Sequence, residues 1–283
     1  MATGPGLNLN PNRPGHRCEA ASTLGVADID WSAPWLADWR AVGEPIAQRV
    51  VAGCAQPQAL SEAALAPVGF VPQAELPEGQ AYEDFIFAKG QVPTREGLHD
   101  FFNALCWMHF PLAKCQLNRL QAAEIARQGV GQVRGPVRDA ATVFDENAWL
   151  IQPSDALWAA LTEHRWQDAL VGLRHEWTHT RLWAFGHAAL EKLVQPYKSI
   201  TVHLWRVPPG VAQADIDAWL AQDLVAEKLA TKPFSPLPVL GVPGWWPANA
   251  APGFYDDAQV FRPRRVRVQT EKPYASAEIG TCA

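Results

Sequence analysis

Histidine, carboxylate and amide side chains recur at helical spacing along this 283-residue chain. His99, Asn103 and Trp107 are each four residues apart, with Asp100 beside His99, so on a helix the three share one face. Phe101, Phe102, Leu105, Cys106 and Phe110 surround that stripe, and polar groups among apolar neighbours need partners or a ligand. Such a set suits acid/base chemistry or hydrogen-bonded ligand binding, while the structural alternative ties it to the neighbouring VPTRE loop. Gly186-His187 and Glu191-Lys192 place an imidazole and a carboxylate one turn apart, an acid/base or metal pair, with Gly186 admitting a neighbouring backbone. The structural alternative there is Glu191 orienting His187 inside the fold. Lys198 and His203 follow as candidates for the same cleft. Arg138-Asp139 and Asp145-Glu146-Asn147 bring three carboxylates close together, enough for a divalent cation or an acid/base pair. The triplet also matches what a tight turn requires, and Arg138-Asp139 reads as a salt-bridged support. The expected catalytic set is therefore His99, Asp100, Asn103, His187 and Glu191. If a divalent metal takes part, His99, His187 and Asp145 are its expected ligands; the cofactor itself stays unassigned.

A sharper pattern in type is His175-Glu176-Trp177-Thr178-His179, an H-E-x-x-H that on a helix presents two imidazoles to zinc beside a catalytic glutamate. Its extended context is missing. The position of a third metzincin ligand holds Phe185, His187 falls two residues late, and Glu191 is closer than a ligand from a separate helix would be. His175, Glu176 and His179 are thus an alternative metal set of lower rank, and Arg174 and Arg181 suit a solvated helix face equally well.

The elements that must position these residues follow from proline, glycine and periodicity. Trp31, Trp35 and Trp39 predict one helical face used for packing, and a second short helix is expected from Pro45 to Gly53. Pro67, Pro72 and Pro77 then predict irregular chain. YEDFIFAKG, with its aromatic and β-branched content, predicts a strand ending at Gly90. Thr94 is the expected cap of a helix to about Phe110, and Pro111 is placed to start another. ATVFDENAWLIQ predicts a β-hairpin turning at Asp145-Glu146-Asn147. Helical periodicity is expected from Pro153 to about Val194 with a break near His164-Arg165, and again over Ala212 to Ala230. Beyond Lys232, proline and glycine predict an ordered surface loop anchored by Trp245, Trp246 and Tyr255. The fold class expected is α+β, predominantly α-helical, with a small β element. A flexible arm (1–27), one globular domain (28–265) and a flexible tail (266–283) complete the organisation.

Composition narrows the function classes. Apolar residues make up 48% of the chain, ample for a packed core. A net charge of -5 gives no overall field for a polyanion, and the basic run Arg262, Arg264, Arg265 and Arg267 is short, so nucleic acid is not the expected partner. Cys18, Cys54, Cys106, Cys115 and Cys282 show no paired spacing, which predicts a reducing, cytoplasmic setting. The first 25 residues lack the apolar core of a signal peptide and no membrane-length apolar run occurs, so neither secretion nor a membrane-spanning helix is expected. Glycine-rich dinucleotide, Walker and nucleophile-elbow motifs are absent as well.

Four segments read together carry a resemblance: VPTREGLHDFFNALCWMHFP, RGPVRDAATVFDENA, FGHAALEKLVQPYKSIT and LPVLGVPGWWPANAAPGFYDDAQVFRP. The chain resembles, from about Asp30 to Arg265, a bacterial family catalogued as domain of unknown function 3025. That resemblance implies no particular activity, substrate or cofactor. Two readings stay open. One is a small-molecule enzyme, hydrolytic or otherwise acid/base, with or without a metal. The other is a binding or scaffold protein that docks a protein partner on its Trp-rich C-terminal loop. An enzyme should gather the polar residues around a solvent-reaching cleft, whereas a scaffold should bury them in pairs and display an apolar patch.

Overall fold

Proline and glycine mark the boundaries of the helices that carry the candidate residues. The computed structural model describes residues 24–129 and 135–264. Helices α1 (Arg40–Val51) and α2 (Gln56–Glu62) precede a unit of strand β1 (Gly69–Pro72), helix α3 (Tyr82–Lys89) and strand β2 (Gln91–Thr94). The two strands pair in parallel, Phe70 opposite Val92. Next come α4 (Leu98–His109), α5 (Pro111–Gln128) and α6 (Pro136–Asn147), the last running directly into β3 (Ala148–Gln152). Helix α7 (Asp155–Thr162), β4 (Arg181–Ala184), α8 (His187–Lys192) and β5 (Thr201–Arg206) follow. The chain then forms α9 (Ile216–Asp223), α10 (Ala226–Ala230) and β6 (Ser235–Pro238). The larger sheet has the order β4-β3-β5-β6, parallel at its centre between β3 and β5 and antiparallel on both flanks. This is the helix-dominated α+β class that the sequence predicts. Among the described residues, no helix is long and apolar enough to cross a membrane.

Helix α4 lies at the centre of the core, as an α-helix apolar on nearly every side must. Phe101, Phe102, Ala104, Leu105 and Cys106 are completely or almost completely buried, and Asp100 and Asn103 are carried in with them. Pro111 starts α5 as expected, where its missing N–H costs nothing. The tryptophans pack: Trp35 lies 6.4 Å from Trp245, and Trp39 stacks on His109 at 4.7 Å. They do not share one helix, however. A short 3-10 turn, Pro34–Leu36, precedes α1, and Pro45 lies inside α1 instead of starting a helix. The C-terminal loop is anchored as expected, with Trp245 and Trp246 packed on the core and the Tyr255 hydroxyl donating to Gly241 O at 3.0 Å.

Several local expectations are corrected. Tyr82–Lys89 is helix, not strand. Glu83 and Asp84 in its first turn, Lys89 in its last and Gly90 in the left-handed conformation (φ 63°) are helix-end signals that outweigh aromatic content. The hairpin at Asp145 is replaced by α6, whose buried Val137, Ala140, Ala141 and Phe144 form a helical stripe, so the triplet sits in a last turn. Thr94 ends β2, and α4 starts three residues after Arg95. Gln56–Glu62 is helical and Gly69–Pro72 a strand, within the region expected to be irregular. The chain breaks at His164 (φ 56°) as expected, but residues 168–178 form π and 3-10 turns and Arg181–Ala184 joins the sheet. The last helical stretch is split at Leu224-Val225 into α9 and α10. Of the terminal segments, 1–23 and the tail 266–283 lie outside the described residues, with Cys18, Arg265, Arg267 and Cys282.

Candidate active-site cleft

One backbone contact decides where the site forms. Ala148 O, at the junction of α6 and β3, accepts N–H bonds from Phe185 (3.2 Å) and Gly186 (2.8 Å) at the junction of β4 and α8. A Cβ on Gly186 would lie 2.5 Å from Asn147 N, Asn147 Cα and Glu146 O, so only glycine allows this approach. The close approach expected of Gly186 is therefore present, and its effect is to set His187, first residue of α8, against Asp145 in the last turn of α6.

Helix α4 supplies the facing side. His99 Nε2 lies 3.2 Å from His187 Nε2, and the rings meet edge-on at 81°. Each imidazole turns its Nδ1 to a carboxylate: His99 to Glu191 Oε2 at 2.9 Å, and His187 to Asp145 Oδ2 at 3.7 Å. The other oxygen of Asp145 accepts from Lys114 Nζ at 2.5 Å, and Lys114 also donates to Asn103 Oδ1 at 2.8 Å. Asn103 in turn donates to the Tyr82 hydroxyl at 3.1 Å. Asp100 stands apart from this chain, forked by the Arg95 guanidinium (3.0 Å twice) and accepting the Arg95 backbone N–H at 2.6 Å. His99, Asn103, Lys114, Asp145 and His187 line a cleft of about 340 Å³, with Asp100 and Trp107 also on its walls. His99 and Glu191 are half-exposed, whereas Lys114 and His187 are buried.

Burial pulls the His187 imidazole down to about 4, with Lys114 and His99 pushing the same way against Asp145, so this ring is neutral at pH 7. Burial alone would raise Asp145, but Lys114 and then His187 outweigh it and hold the carboxyl below its usual range. The Tyr82 phenol is raised by burial and by the charges of Asp100 and Asp145. The Cys106 thiol, raised by burial, donates to Phe185 O at 2.9 Å and is not a thiolate nucleophile at neutral pH.

The hydrogens of the pair can be counted. His99 Nδ1 faces a carboxylate and so carries a hydrogen. The Nε2–Nε2 contact is a hydrogen bond only if one nitrogen carries a second hydrogen. Were that nitrogen on a neutral pair His187 Nε2, the buried His187 Nδ1 would be a lone pair without a partner. Were it His99 Nε2, His99 would be an imidazolium and His187 could direct Nδ1–H at Asp145. In either state His187 Nδ1 faces Asp145 Oδ2 across 3.7 Å, beyond hydrogen-bond length, so that contact is electrostatic.

The remaining candidates separate from this cleft. Glu191, one turn after His187 on α8, pairs with His99 at the half-exposed rim and not with His187. Lys198 pairs with Asp257 at 3.0 Å and lies over Phe254, and His203 lies beside Phe234 on β5. Asp139 pairs with Lys232, away from the cleft. His175 and Glu176 fall on a short 3-10 turn, Arg174–Thr178, which His179 caps, and in that geometry positions i and i+4 point about 120° apart and share no face. His175 and His179 are exposed, and the buried Trp177, donating to Ala169 O at 2.8 Å, fixes that turn. Among the described residues, no three His, Cys, Asp or Glu side chains are grouped to hold a metal ion. His99 and His187 offer Nε2 to each other, and Asp145 stands on the far side of His187.

Lys114 is the residue that sequence reasoning missed. With Asn118 and Gln121, four and seven residues on, it forms a polar stripe on one face of α5, and that stripe is the available signal. Fold and cleft together define a helix-rich α+β protein with an imidazole–carboxylate centre at the base of a polar cleft. The chain belongs to the family described as protein of unknown function (DUF3025), whose model matches residues 68–265, a span that contains every residue of the cleft named above. Neither a curated protein nor a solved structure matches it.

Proposed function

We propose that this protein is a small-molecule enzyme whose reaction turns on proton transfer through His99 and His187. The observation that carries the reading is the 3.2 Å Nε2–Nε2 contact with each Nδ1 turned to a carboxylate. A substrate O–H or N–H entering between the rings replaces that contact, donating to one Nε2 and accepting from the other. One proton leaves the substrate as another returns, and the pair ends with its original charge. Hydrolysis fits this exchange, with water giving up its proton to one ring while the leaving group takes one from the other. Glu191 and Asp145 orient the rings, and Lys114 holds Asp145 ionised. The chemistry as drawn uses no metal. The free thiols of Cys54, Cys106 and Cys115 support a reducing bacterial cytoplasm as its setting.

The test is conversion of a small-molecule extract of bacterial cells, followed by mass spectrometry. Wild-type protein should consume at least one compound, with the rate falling roughly 10²- to 10⁴-fold in His99→Gln and His187→Gln, as expected for loss of a general acid or base. His175→Ala should keep full activity. A conversion that survives both cleft variants, or no conversion by the wild type, refutes the proposal.

A further inference from the structure

The proton relay leaves part of the cleft unused, and that part has an unbalanced charge. Among the described residues two cations line it, and both are taken: Arg95 by Asp100 and Lys114 by Asp145. Glu83, from the first turn of α3, and Glu146, beside Asp145, line the same cleft half-buried, and neither has a cationic partner among the described residues. His187 is neutral and His99 is matched by Glu191, so the lining carries two uncompensated negative charges. A cleft of one sign with low-dielectric walls draws in the opposite sign.

A second observation is independent of the carboxylates. Gln121 on α5 is 9% exposed, lines the cleft, and has no hydrogen-bond partner for its carboxamide among the described residues. Asn118, one turn earlier, donates its Nδ2 to Glu83 O at 2.7 Å, which leaves its Oδ1 as an acceptor. The Gln121 side chain is thus nine-tenths buried while its unpartnered carboxamide opens on the cleft, where a bound molecule can meet it. Acceptors dominate this wall: two carboxylates and two amide oxygens. With no three-residue metal set among the described residues, the ligand that matches is an organic cation rich in N–H donors. At about 340 Å³ the cleft takes a small one.

We infer that the substrate is a small organic cation, a primary amine or a guanidinium compound, with its charge balanced by Glu83 and Glu146 and its N–H groups received by Asn118 and Gln121. This deepens the proton-transfer reading and rests on it for the word substrate. The end of such a molecule away from these carboxylates is the one that reaches His99 and His187.

Agmatine, glutarate and 1,5-pentanediol, a dication, a dianion and a neutral molecule of similar length, separate the possibilities by calorimetric titration. Agmatine should bind, more weakly as salt rises. Its affinity should fall by about tenfold or more when Glu83→Gln and Glu146→Gln are combined, because a desolvated charge pair loses its partner. The Gln121 side-chain amide signals should shift on binding, and Gln121→Ala should abolish those shifts. Each glutamate is also changed singly, with unfolding checked by circular dichroism, so that a misfolded double variant does not decide the result. Glutarate or the diol binding as tightly as agmatine, agmatine affinity unchanged in the glutamate variants, or no agmatine binding at millimolar concentration overturns the inference. Agmatine binding with no metabolite converted removes the enzyme reading and keeps the cation site. Conversion without agmatine binding does the reverse.

Discussion

Replacing His187 by glutamine should remove a defined part of the pH dependence of stability. The ring is 5% exposed, and burial first, then Lys114 and His99, pull its folded-state value from 6.5 to about 4. Between those values the unfolded chain binds a proton that the folded protein refuses, so this histidine's contribution is complete above pH 6.5 and is lost as pH falls towards 4. The full shift is worth about 3 kcal/mol, since each pH unit corresponds to roughly 1.4 kcal/mol. Most of it, about 2.5 kcal/mol, should be gone at pH 4.5. Asp145 does not confuse this window, because its lowered value makes its own contribution disappear at still lower pH. His109, His164 and His203 are also pulled down by burial, so the wild type alone cannot isolate one residue. Urea unfolding of wild type and His187→Gln at pH 7.5 and 4.5 cancels those shared terms. The stability difference between the two proteins should move by about 2.5 kcal/mol in favour of the variant at the lower pH. An unchanged difference refutes the buried, neutral assignment of His187, and a shift of the opposite sign means that the ring is held as a cation.

Two further changes test how the site is assembled. Gly186→Ala forces a Cβ onto the backbone of Asn147, which cannot yield as a flexible side chain would. It should cost about 2–4 kcal/mol in urea unfolding and move the His187 ring signals, and a protein of unchanged stability contradicts the close approach. Lys114→Met leaves Asp145 at the cleft floor without its ammonium partner and should cost about 3–5 kcal/mol. Adding Asp145→Asn to that variant should recover part of the loss, and strictly additive effects refute the coupling.

What could be read from local sequence was read where one period governed one element. His99, Asn103 and Trp107 face one cleft because their spacing is a property of α4 alone, and Pro111 and Gly186 do what their backbones require. Where two local signals compete, the helical one prevails. Asp145-Glu146-Asn147 has turn chemistry, yet Val137, Ala140, Ala141 and Phe144 already spelled a helix through it. Tyr82–Lys89 has strand composition, yet its charges and Gly90 spelled helix ends. The H-E-x-x-H pattern failed for a related reason, since its meaning depends on a regular helix that the π and 3-10 turns around Leu170 and Trp177 do not form.

By itself the sequence determined the fold class, the central apolar helix and the polar face it carries, because periodicity and capping act within a few residues. It also determined membership of the family, whose segments are long enough to be specific. Only the tertiary structure decided that His99 meets His187, that Glu191 belongs to His99, and that Lys114 reaches Asp145. Each of those pairs joins separate helices, and the two that involve α8 depend on the close passage of Gly186 over Asn147. Pairing across that junction is set by how packed elements exclude one another in space, a property no local spacing encodes.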